Sequence, residues 1–246
     1  MARNKLIVED DNDKYILNAL IKHIHLANAV EIANPIPIDY LTGSLDSNPD
    51  SPTTLIRNLK KLERDIELGN VDKIGIIFDL DTSTPKQRLE MINNALRQSY
   101  NAESSITKIN EFITLKVKDE TIQIACHFIN INGLGEIEDL LKAIKAKDSD
   151  FADCIVDGWS PCLSAKGKNV SPKDLVKFWL DIYRRNDILT SEERRQAGKN
   201  TKWDKFLELH PESFDFNSNI TELDDLKKFL NLFAQSPTQT PMTTPH

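Results

Sequence analysis

The run Lys73-Ile74-Gly75-Ile76-Ile77-Phe78 constrains the chain more than any other feature, because after its lysine it holds only apolar residues and one glycine. A strand of alternating polarity can leave one face in water, whereas a continuous apolar strand needs cover on both faces. Such a strand belongs inside a sheet flanked by helices. The surrounding sequence supplies them. Leu6-Ile7-Val8 is a short apolar strand, followed by Ile16, Leu17, Leu20, Ile21 and Ile24 on one helical face. Leu55, Ile56, Leu59, Leu62 and Ile66 recur at helical spacing before the central strand. A helix over 85–98 follows it, with Pro85 suited to the first turn. Residues 30–41 contain Pro35 and Pro37, which confine any strand there to an edge. The β-rich runs 106–117 and 121–131, separated by Lys118-Asp119-Glu120, predict a hairpin, and a further helix opens near Glu136. The expected class is α/β, with a mostly parallel sheet flanked by helices.

Beyond about residue 150 the β signal stops and helical periods take over. Ser171-Pro172-Lys173-Asp174 is a helix start with an N-cap hydroxyl, proline at N1 and an acid in the first turn. Thr190-Ser191-Glu192-Glu193 matches a capping box, and Thr221-Glu222-Leu223-Asp224 opens a last helix reaching Phe233. The chain of 246 residues is therefore read as an α/β domain over 1–150, a helical extension packed on it over 151–234, and a disordered Pro/Thr-rich tail over 235–246.

Composition excludes several classes. Apolar runs fall far short of the ~20 residues that span a bilayer, and the N-terminus lacks the apolar core and cleavage site of a signal peptide. A cytoplasmic protein without membrane contact is expected. Cys126, Cys154 and Cys162 are an odd set without a CxxC pair, so neither a disulfide framework nor a zinc knuckle is indicated. A formal charge of −7 argues against coating nucleic acid by bulk electrostatics, though not against a local basic patch or a metal-bridged contact.

The chemistry-bearing feature is a pair of acidic clusters, each just after an apolar strand: Glu9, Asp10, Asp11 and Asp13 after the first, Asp79 and Asp81 after the central one. In open α/β sheets ligands bind beyond the carboxyl ends of the strands, so the two clusters can meet if those strands are neighbours. Hard carboxylate oxygens suit Mg²⁺ or Mn²⁺. Two carboxylates about 4 Å apart repel by roughly 4 kcal/mol at an effective dielectric of 20, so a converged cluster favours a cation. The competing account is structural: acids at a helix start cap it and oppose its dipole.

Val8-Glu9 with Asp13, then Phe78-Asp79-Leu80-Asp81, resembles the TOPRIM domain of topoisomerases, primases and OLD-type nucleases. The resemblance covers residues 4–147. It extends to Arg88 and to Gly135-Glu136-Ile137-Glu138-Asp139-Leu140-Leu141, which is similar to the helix start of a microbial TOPRIM-like branch related to OLD nucleases. Trp179, residues 203–206 and Phe214-Asp215-Phe216 are reminiscent of the same branch. The resemblance implies a TOPRIM/Rossmann-like fold. In it Glu9 is a catalytic acid or base or a metal ligand, and Asp79 and Asp81 are metal ligands. Asp13, Glu138 and Asp139 complete a second ion site, and Arg88 holds a phosphate oxygen. It implies a Mg²⁺- or Mn²⁺-dependent nuclease acting on nucleic acid, DNA before RNA, with a role in anti-phage defence. The chain departs from the family at Asp10, where glycine is usual. No second domain carries a tyrosine nucleophile and no zinc-binding primase domain is visible, which argues against topoisomerase and primase.

Other readings stay open. One is a catalytically weak TOPRIM-like interaction module working with an ATPase partner, and homo-oligomerisation is compatible with either. Another is a haloacid-dehalogenase-like phosphatase with Asp79 as nucleophile, although Ser83 stands where that motif has threonine and Glu9 is left unexplained. A response-regulator receiver fits poorly, because Asp79 lies 70 positions after Glu9. The basic residues Arg184, Arg185, Arg194, Arg195, Lys199, Lys202 and Lys205 are expected on solvated helix faces, and Trp159, Trp179 and Trp203 in packed positions. His23 and His25 do not share a helix face, Cys126 reads as a small core residue, and Gly133-Leu134-Gly135 reads as a turn.

Overall fold

A computed structural model describes residues 4–35, 54–80, 83–131, 135–197 and 202–234. Among them five strands form one sheet: β1 (Asn4–Ile7), β2 (Glu31–Ile32), β3 (Lys73–Asp79), β4 (Ile113–Val117) and β5 (Glu120–Ile129), in the order β2-β1-β3-β5-β4. β1 pairs in parallel with β2 and β3, β3 pairs in parallel with β5, and β4 closes the antiparallel hairpin on β5. The α/β class and the mostly parallel sheet are as expected. From β1 the chain moves outward to β2 and then returns to β3 on the other side of β1. Strand order therefore reverses between β1 and β3, the place where ligands bind in open α/β sheets.

Both faces of β3 are covered. Ile74, Ile76 and Phe78 point into a core shared with α2 (Thr54–Glu67) and α3 (Pro85–Tyr100). Ile77 points the other way, into a core with α1 (Asp11–His23) and with the helices that follow the sheet. Those helices are α4 (Ile137–Ala143), α5 (Asp150–Ser164), α6 (Pro172–Ile182), α8 (Trp203–Leu209) and α9 (Thr221–Asn231); α7 (Ser191–Ala197) lies between α6 and α8 in the chain and places no described residue in that core. Gly75 lies on this second face. A Cβ there would stand 2.4 Å from Leu6 Cδ2 and 2.7 Å from Phe233 Cζ, so the missing side chain is what lets Phe233 reach the sheet.

Several local expectations are corrected. The first strand of the hairpin begins at Ile113 and not at 106, because the Asn93 side chain occupies the Ile106 backbone in place of a neighbouring strand. It donates to Ile106 O at 2.9 Å and accepts from Ile106 N–H at 2.8 Å. The second strand ends at Ile129 instead of 131. The α3 helix runs on to Tyr100, where Asn101 takes a left-handed conformation (φ 52°) and stops it. The final helix ends at Asn231. Of residues 30–41 only Glu31 and Ile32 form an edge strand within the described part, and 36–53 lie outside it. Arg184 is not on a solvated face: it is buried, 4.8 Å from the Trp203 ring centre and paired with Asp181 at 2.9 Å. Trp159 is exposed, whereas Trp179, Trp203 and Cys126 are buried. Lys199, residues 132–134 and the tail 235–246 lie outside the described residues. Among the described residues no helix is long and apolar enough to cross a membrane.

Candidate functional site

Each acidic cluster emerges where a buried strand stops. Leu6, Ile7 and Val8 are buried, and Glu9 is the first polar residue after them. Asp10 then caps α1: its side chain accepts from Asp13 N–H at 2.9 Å, and Asp13 Oδ2 accepts in return from Asp10 N–H at 3.2 Å. The structural role of acids at a helix start is therefore real for these two residues. It does not account for Glu9, which lies before the cap. Glu9 Oε1 instead accepts the backbone N–H of Asp79 at 2.8 Å, a buried bond linking residues 70 apart in sequence. β1 and β3 are neighbours in register, with Ile7 opposite Ile76, so this bond joins the carboxyl ends of the two strands at the switch point.

The third contributor is α4. Glu136 and Glu138 are buried at its start and Asp139 is half-buried. Burial raises the pKa of Asp13 well above the carboxylate range, and the negative charges of Asp10 and Glu138 add to the shift. Burial likewise raises Glu138, with Glu136 and Asp10 adding to it and Lys177 opposing. Asp139 is raised by burial and by Glu136. The charge of Glu138, 125 residues further along the chain, is thus one of the causes that raise Asp13. The arrangement buries several carboxyl groups near one another, which is costly unless they take up protons or cations accompany them.

Part of that compensation comes from α6. Lys173 Nζ lies 2.5 Å from Glu136 Oε1, and Lys177 Nζ lies 3.6 Å from Glu136 Oε2 and 3.7 Å from Glu138 Oε1. Burial works against a charged Lys177, yet Glu138 and Glu136 together outweigh it and raise its pKa. Sequence reasoning missed both lysines and Glu136. The available signal was the i, i+4 spacing of Lys173 and Lys177 just inside the Ser171 cap, which on its own describes any solvated helix face.

Arg88 sits in the first turn of α3 and is buried, which rules out a merely solvated helix charge. Asp79 is buried at the end of β3, and Asp81 lies outside the described residues. The donors are all carboxylate oxygens, the chemistry that suits Mg²⁺ or Mn²⁺. Among the described residues, however, no three carboxylate, imidazole or thiol groups gather closely enough to form a metal-holding set by themselves. A groove of about 760 Å³ between α1 and α8 is lined by Tyr15, Lys22, His23, Glu208 and Phe216, and none of the acids above lines it.

The chain belongs to the family described as "Protein of unknown function (DUF3226)", whose model matches residues 3–234. No curated protein matches it. Among solved structures it is similar to the C-terminal region of the Xanthomonas campestris pv. campestris OLD protein, in structures phased with iodine and with platinum. Both share 10% identity at a TM-score of 0.39 and cover 95% of this chain; the match covers 97% of the first chain and 94% of the second.

Proposed function

We propose that this chain is a TOPRIM-like, Mg²⁺- or Mn²⁺-dependent hydrolase of nucleic-acid phosphodiesters, with DNA as the preferred substrate. One observation carries the reading: the buried bond from Asp79 N–H to Glu9 Oε1, which joins the two acidic strand ends at the switch point of the sheet. Capping explains Asp10 and Asp13, whereas Glu9 lies before the cap, and its bond to Asp79 N–H is one that a glutamine could equally accept, so that bond by itself does not call for a charge at position 9.

Glu9, Asp79 and Asp81 would hold one ion, and Asp13, Glu138 and Asp139 a second. A metal held there would supply polarisation of a phosphodiester and a stronger water nucleophile at neutral pH. Every other role falls to the chain itself. The β3 backbone fixes the Glu9 carboxylate, Arg88 supplies a planar cation suited to a phosphate oxygen, and Lys173 and Lys177 draw a polyanion toward a chain whose net charge would repel it. A role in anti-phage defence and an ATPase partner belong to the same proposal.

The test uses conservative variants that keep the fold. Glu9→Gln retains the acceptor for Asp79 N–H, and Asp79→Asn retains the shape. Purified wild type should cleave DNA with Mn²⁺, and each variant should lose at least about a hundredfold, equivalent to roughly 2.7 kcal/mol of transition-state stabilisation. Saturating Mn²⁺ should also raise the melting temperature of wild type by roughly 5–10 °C, but not that of Asp79→Ala. Equal cleavage by wild type and both variants sinks the proposal. Turnover of a phosphomonoester lost in Asp79→Asn and kept in Glu9→Gln would instead favour phosphatase chemistry.

A further inference from the structure

α5 carries the wrong residues for a surface helix. Its inner side is fixed firmly: Asp187 accepts from the backbone N–H of Phe151 at 2.9 Å and of Ala152 at 3.1 Å, and Asp153 accepts from Trp179 Nε1 at 2.6 Å. Ala152 is buried against the body, with Val156 and Leu163 half-buried on the same side. At 100° per residue the exposed side presents the uncharged Phe151, Cys154, Ile155, Gly158 and Cys162, bordered by Pro161 and by the exposed acid Asp157. Solvent-facing helix sides are ordinarily polar. Here Phe151 is 57% exposed and Ile155 40%, and beside them Trp159 (36%) packs on Phe178 (39%) with ring centres 4.8 Å apart. A continuous apolar patch of this kind marks an interaction surface.

Gly158 says how close the partner comes. Among the described residues, outside its chain neighbours and the backbone of its own helix, no atom lies within 4 Å of where its Cβ would be, so no packing contact there calls for glycine, the poorest helix former after proline. A second helix crossing at that point would require it.

We propose that the partner is a second copy of this chain, with the two α5 helices packed antiparallel about a two-fold axis at Gly158. The sequence is arranged for such a crossing. Cys154 and Cys162 stand four residues either side of Gly158, Phe151 and Ala165 seven, Asp150 and Lys166 eight, and Asp148 and Lys168 ten. Antiparallel pairing therefore sets Cys154 against Cys162 of the second copy and the acids at one end against the lysines at the other. Parallel pairing would bring like charges together. None of Asp148, Asp150, Lys166 and Lys168 forms an ion pair within the chain among the described residues. The same patch meeting itself is the isologous geometry of two-fold dimers, and it also opposes the two helix dipoles. The apolar stripe is the core of this interface and the charged ends are its rim.

Sedimentation equilibrium of the full chain at micromolar concentration should give twice the 28.0 kDa chain mass. Gly158→Leu improves helix propensity and enters empty space, so it should melt at or above wild type while its dimer dissociates at least about tenfold more readily. Pairing direction is read by oxidative cross-linking. Cys126 is buried, so Cys154→Ser and Cys162→Ser each retain one exposed thiol. A mixture of the two variants should yield a disulfide-linked dimer that neither yields alone. A monomeric wild type, an unweakened Gly158→Leu dimer, or equal cross-linking of each variant by itself would each overturn the proposal. None of these outcomes depends on cleavage or metal binding.

Discussion

His127 shows how much a single buried residue can tie stability to pH. Near the end of β5 its Nδ1–H donates to Asn110 Oδ1 at 2.8 Å, and its ring stacks on Phe229 with centres 5.4 Å apart. Burial pushes its pKa down to about 4, against the pull of Asp225 from α9, which with Glu222 faces the same small cavity. The unfolded chain takes up a proton near pH 6.5, whereas the folded chain resists until about pH 4. Over that window the unfolded state binds more protons, so stability falls as the pH drops, by up to roughly 3 kcal/mol. Melting temperature should therefore decline less steeply from pH 7 to 4.5 in His127→Gln than in wild type, and identical slopes would refute this. At the same scale the candidate site was only half legible. Glu9, Asp13, Asp79, Glu138 and Asp139 stood out as acids at strand ends or a helix start. Lys173, Lys177 and Glu136 did not, because their meaning depends on α6 lying over α4, which no local pattern encodes.

Elements were legible where their cause is local. The Thr190 capping box forms as read, with Thr190 N–H donating to Glu193 Oε2 at 2.8 Å and Glu193 N–H to Thr190 Oγ1 at 3.2 Å. The Ser171 cap forms too, accepting from Asp174 N–H at 3.1 Å. The start of β4 was not legible, since a β-rich stretch at 106–112 is diverted by the distant amide of Asn93 and by the positive φ of Asn110 (62°). β3 offers the sharpest test at this scale. Gly75→Val would drive methyl groups into Leu6, Phe229 and Phe233, and overpacking of this kind costs about 1–3 kcal/mol. The urea midpoint should fall with no change in the slope of the transition, whereas an unchanged midpoint would mean that α9 can move off the sheet at no cost.

At the scale of the whole molecule, Leu6, Val8, Ile77 and Ile129 on one sheet face share a single core with Trp179, Phe206, Phe229 and Leu230 as well as with α1. A chain ended after residue 150 would expose that face, so it should lose its cooperative thermal transition. A sharp, reversible melt of 1–150 would show that the later helices are dispensable. The sequence by itself determined what depends on neighbours within a few turns: the strands and helices, their caps, the α/β class, and the acids at the strand ends. The tertiary structure alone decided that β1 and β3 lie side by side, so that Glu9 reaches the backbone of Asp79, and that two lysines from beyond residue 170 close over the acids. The reason is physical. Periodicity and capping are short-range and repeat along the chain, whereas strand order and helix placement follow from burying both faces of one sheet at once, a condition met only by the entire chain.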